Sequence, residues 1–139
     1  MGYLAPSTGK GFIQAWHTLF NPNDSTTYYW GYLTGSGIAT TQDYNIMVPV
    51  SCTIQKIAIH IACTVGGADN VALSIRVNDT TDYTVTATLQ YDTTPQRNTY
   101  TVDIPLSAGD FFTFKEVTPA WAANPTQIRK LAVLQVEFT

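Results

Sequence analysis

Apolar and polar side chains change places at nearly every step through the middle of the chain. Ile57, Ile59, Ile61 and Cys63 alternate with Ala58, His60 and Ala62, a period of two that only an extended strand turns into one apolar face. The same rhythm sets Val71, Leu73, Ile75 and Val77 against Ala72, Ser74, Arg76 and Asn78, and Tyr83, Val85, Ala87 and Leu89 against Thr84, Thr86, Thr88 and Gln90. Tyr100, Val102 and Ile104 continue it. Glycine, asparagine and aspartate clusters at 66–70, 78–82 and 107–110 punctuate these runs as turns. Shorter strand-like runs lie at 12–19, 27–33, 45–50, 111–117 and 128–138, the last after a proline-containing loop at 118–125. No window carries a helical period. The pattern predicts an all-β, antiparallel two-sheet β-sandwich of jelly-roll type with eight or nine strands, the odd-numbered apolar set inside and the threonines outside. Residues 1–26 read as an N-terminal extended arm and first strand, and residues 27–139 as the sandwich domain.

Composition narrows the function classes. The chain has 139 residues, enough for one domain with a real core. Charged residues make up only 12%, about half the usual share, and threonine fills the gap at about one residue in six. A surface so poor in charge suits a protein partly covered by neighbours, because charge is depleted at interface cores. The net charge of -3 and the lack of any lysine or arginine cluster exclude a nucleic-acid role of the phosphate-neutralising kind. No apolar run reaches membrane-spanning length, so no membrane partner is expected, and residues 1–20 lack the pattern of a signal peptide. Cys52 and Cys63 flank one predicted strand, too far apart to pair if it is continuous, and are expected as free thiols.

Chemistry-bearing patterns are weak. His17 and His60 have no Cys, Asp or Glu at ligand spacing, so no metal is expected. Ser7-Thr-Gly-Lys-Gly lacks the leading glycine and the trailing hydroxyl of a phosphate loop. Asn78, Asp79 and Asp82 offer oxygens that could meet calcium, but turn geometry accounts for them as well. The remaining acids are scattered, and the chain is expected to be no enzyme and to carry no cofactor. Aromatic residues stand out instead. Tyr28, Trp30 and Tyr32 share one face of a strand, and Trp121 sits in the proline-containing loop. Together with Tyr3, Leu4, Phe12 and Trp16 they form the candidate interface set, with core packing the competing role for the later aromatics.

Several segments resemble small β-sandwich structural proteins of tailed bacteriophages. They are Ala72-Leu-Ser-Ile-Arg-Val-Asn-Asp-Thr-Thr-Asp, Ser107-Ala-Gly-Asp-Phe-Phe-Thr-Phe-Lys and Val117-Thr-Pro-Ala-Trp-Ala-Ala-Asn-Pro, with Tyr28-Tyr-Trp-Gly and Val48-Pro-Val-Ser-Cys-Thr-Ile-Gln-Lys-Ile upstream. The resemblance covers residues 28–138. It implies a virion component: a capsid decoration (cement) protein, a head fibre, or a tail-fibre or receptor-binding head. As a decoration protein it would be a homotrimer on the capsid exterior, made in the host cytoplasm, with the major capsid protein as partner. The chain has no long shaft or coiled-coil heptads, which favours decoration, and the arm at 1–11 could clamp onto coat subunits.

Overall fold

The computed structural model describes residues 9–31 and 45–139, with residues 18 and 19 described by their backbone alone. Every regular element among them is a strand: β1 (Lys10–Phe20), β2 (Thr27–Trp30), β3 (Ile46–Met47), β4 (Cys52–Ala62), β5 (Gly67–Val77), β6 (Thr81–Tyr91), β7 (Gln96–Leu106), β8 (Phe111–Val117) and β9 (Ile128–Phe138). They form two antiparallel sheets, ordered β1-β9-β4-β7 and β2-β8-β5-β6, with the two-residue β3 pairing on β8. Apart from β3, successive strands change sheet at each step except at the β5–β6 hairpin. That winding is the jelly roll. β1 pairs with β9 along most of its length, so the first strand is an integral edge of the sandwich.

The inner faces of the two sheets supply the core. Ile54, Ile57, Leu134, Val136 and Ile104 from one sheet meet Val71, Leu73, Ile75, Phe112 and Phe114 from the other, all buried. In β4 the inward set changes parity. Cys52 and Ile54 point in, then Ile57, Ile59 and Ile61. A bulge at Gln55 makes the change, and the register with both β7 and β9 shifts there. Bulges also interrupt the β5–β6 pairing between Val71 and Ser74. They overturn part of the expected inside set: Ala87 is exposed, while Thr86 is half-buried.

Turn chemistry fits the sequence reading at the β5–β6 hairpin. Asn78 and Asp79 adopt φ of 50° and 57°, left-handed values that Asn and Asp tolerate. The Asn78 side chain bridges to Asp110 and accepts from the Phe111 amide. Both cysteines are free and buried.

Candidate interaction face and buried charge cluster

The outward side of the β1-β9-β4-β7 sheet follows directly from the cross-strand register. Trp16 pairs with Leu131, Leu131 with His60 and His60 with Arg97, making one row across all four strands. The next row runs Gln14, Val133, Ala58 and Thr99, and the one after it Phe12, Gln135, Lys56 and Thr101. Phe12 is 73% exposed, Trp16 41% and Leu131 40%. A free sheet face is normally the polar half of each strand's alternation, and here β9 breaks that rule by carrying apolar residues on both sides. Trp16, Leu131, His60, Arg97 and Arg129 border a shallow depression of about 390 Å³.

The other sheet turns a conventional polar face outward. Asp82 accepts from Arg76 at 3.0 Å and from Lys115 at 2.6 Å, with its own side chain about a third exposed.

One residue further along β8, Glu116 points the opposite way and is fully buried. Its position follows parity: Phe112, Phe114 and Glu116 line the inner face of β8, as Ile128, Lys130, Ala132, Leu134 and Val136 line that of β9. Lys130 Nζ donates to Glu116 Oε2, and the Tyr91 hydroxyl donates to Oε1. Trp30 Nε1 donates to Oε2 at 3.1 Å. The ammonium lies 4.3 Å from the ring centre of Phe20, 4.8 Å from that of Trp30 and 5.7 Å from that of Tyr91, within reach of cation–π attraction. Burial pushes the Lys130 pKa down to about 8, against the opposing pull of Glu116. Burial, then the Glu116 carboxylate, raises that of Tyr91 well above the usual phenol range. Burial also raises both thiols, with Asp92 adding to the effect at Cys63, which leaves them weak nucleophiles.

The structure divides the sequence-selected residues. Phe12 and Trp16 stand on the outer face just described. Tyr28, Trp30 and Trp121, named as interface candidates, are buried inside the domain, which corrects that assignment. The cause is β2's pairing with β8, which aims Tyr28 and Trp30 at the opposite sheet alongside Glu116 and Phe114. Trp30 stacks on Phe114 with ring centres 4.1 Å apart, and Trp121 packs on Tyr91. Tyr3, Leu4 and Tyr32 lie outside the described residues, as does most of the arm. His60 is exposed on the outer face, whereas His17 is buried and stacks on Phe20. Among the described residues no three His, Cys, Asp or Glu side chains converge as a metal set.

Sequence reasoning passed over Glu116, Lys130, Tyr91 and Leu131. Strand parity carried a signal for the first two, since each occupies an inward slot in a run of large apolar residues.

No family model matches the chain, and no curated protein matches it in sequence. Among solved structures it is similar to FlhE, with a TM-score of 0.51 and 11% identity over 94% of this chain and 99% of that one. A chain from infectious bursal disease virus Gx strain gives 0.46 and 10% identity, covering 98% of this chain and 32% of the other. The CBM35 from Cellvibrio japonicus Abf62 gives 0.44 and 21%, over 94% and 99%. At such identities the likeness to FlhE is one of fold alone.

Proposed function

We propose that the domain is a tailed-phage virion component, a capsid decoration protein that forms a homotrimer and binds across subunits of the major capsid protein. The observation that carries the assembly reading is the set of large apolar side chains, Phe12, Trp16 and Leu131, left uncovered on the outer face of the β1-β9-β4-β7 sheet. Contiguous apolar patches on soluble monomers are small, and larger ones mark contact sites.

A second copy of the chain suits this face. One edge strand, β1, carries the aromatic Trp16, and the opposite edge strand, β7, carries Arg97 in the same cross-strand row. Rotation about an axis parallel to the strands brings Arg97 of one copy to the height of Trp16 in the next, an arginine–indole match between unlike edges. Contacts between unlike surfaces close into a ring when the rotation allows. A trimer then repeats each coat contact three times, so modest affinities become strong avidity. Binding only the assembled shell stabilises that shell by mass action. The sequence resemblance to phage sandwich proteins supports the virion setting.

Light scattering on the purified chain tests the assembly reading, with a mass three times the 15.3 kDa of one copy expected. Trp16→Glu and Leu131→Asp are expected to give folded monomers. A wild-type chain that stays monomeric at working concentration would remove this reading. Shells lacking the protein are expected to rupture at lower temperature and to recover on its addition. Deletion of residues 1–11 is expected to abolish attachment without unfolding the sandwich.

A tail-fibre or receptor-binding head is the second reading, and the depression favours it. A half-exposed indole beside Arg97 and Arg129 would suit an anionic sugar of a host glycan. Saturable binding of acidic oligosaccharides, lost in Trp16→Ala, together with a tail position in the particle, would replace the decoration reading.

A further inference from the structure

We infer that Lys130 and Glu116 join through a side-chain amide bond that forms within the folded core and ties the two sheets together covalently. Lys130 belongs to the β1-β9-β4-β7 sheet and Glu116 to the facing one, so their contact is the place where a single bond would span the sandwich. The nucleophile Nζ already hydrogen-bonds an oxygen of the carboxyl group it would attack. Both side chains are fully buried, and Lys130 Nζ forms an ion pair with Glu116 Oε2.

The enclosure favours reaction over a lasting ion pair. Charges buried in low dielectric carry a heavy desolvation penalty, and burial lowers the pKa of Lys130 toward the neutral amine that acts as nucleophile. The aromatic rings of Phe20, Trp30 and Tyr91 around Nζ exclude the water that would otherwise solvate the charged forms. Each carboxyl oxygen also has a donor, Tyr91 Oη on Oε1 and Trp30 Nε1 on Oε2.

The step balances without a co-reactant. Nζ gives one proton to Oε2, and its lone pair attacks Cδ of Glu116. Negative charge collects on Oε1, where the Tyr91 hydroxyl stabilises it as an oxyanion-hole donor does. A second Nζ proton passes to Oε2, the Cδ–Oε2 bond breaks, and one water molecule leaves. The third proton stays on nitrogen as the amide N–H. Fixing two reactants in contact is equivalent to effective concentrations of about 10⁵–10⁸ M, and the dry site hinders hydrolysis in reverse. With Cys52 and Cys63 both free, this bond would be a covalent brace in a fold without a disulfide among its described residues.

Intact mass of the full-length chain under denaturing conditions tests the inference. The expected mass lies below the sequence mass by one water molecule, and digestion should yield a branched peptide joining the segments around Glu116 and Lys130. Lys130→Arg and Glu116→Ala should each restore the full mass. Tyr91→Phe should fold yet leave a fraction of chains unlinked. A folded wild-type chain at full sequence mass, giving the two segments as separate peptides, overturns the inference whether or not any variant folds.

Discussion

Strand β8 presents two consecutive charged residues to two different worlds. Lys115 faces outward to Asp82, which also holds Arg76, in contact with solvent. Glu116 faces inward to Lys130, where no water reaches either group. The partners and distances are of the same kind, but the surroundings differ. At the surface, water and salt already satisfy each charge, so pairing adds little. In the core each group depends wholly on its partners, so removing one strands the other.

The sharpest way to test the contrast is to delete the inner carboxylate. Glu116→Ala is expected to lower the unfolding free energy by about 3–5 kcal/mol, read from urea unfolding with midpoint and slope both fitted, because loss of a cross-link also steepens the slope. A smaller effect is expected from Tyr91→Phe, which keeps the ring against Trp121 and removes one donor from Glu116. About 1–3 kcal/mol is the scale for an unsatisfied buried acceptor. At the outer site, Asp82→Ala is expected to cost no more than about 1 kcal/mol, and that cost should shrink when salt is raised. An outer loss as large as the inner one would show that exposure is not what separates them. Smallest of all should be the stability effect of Trp16→Glu, within about 0.5 kcal/mol, even as it abolishes association.

The alternation that built the sheets was open to reading because each strand reports its own two sides. Ile57, Ile59, Ile61 and Val71, Leu73, Ile75 fall inside as their spacing requires. It failed at Ala87, where bulges between β5 and β6 slide the register in a way no single strand records. The inner charge cluster was harder to see for a different reason. Trp30, Tyr91, Glu116 and Lys130 come from four strands and meet only once the two sheets face each other. Parity could flag Glu116 and Lys130 as charges in apolar slots, but not that they share one pocket. Tyr28 and Trp30 showed the converse limit. Their type suits core and contact surface equally, and only the pairing of β2 with β8 decides. Leu131 was legible in principle, since the last strand carries apolar residues on both sides, the signature of a strand covered twice.

The bulge at Gln55 gives the central strand β4 an unusual vulnerability. It works like a dropped stitch shared by the neighbours on both sides, because β7 and β9 each adjust at the same point. Removing that single residue would put Ile54 and Ile57 two positions apart, matching the step from Val136 to Leu134 on β9 but falling further short of the step from Ile104 to Tyr100 on β7. Ile57, Ile59 and Ile61 would stay on the core side in plain alternation with Ile54, while the β9 seam became regular and the β7 seam more mismatched. One codon lost there would rewrite two seams at once.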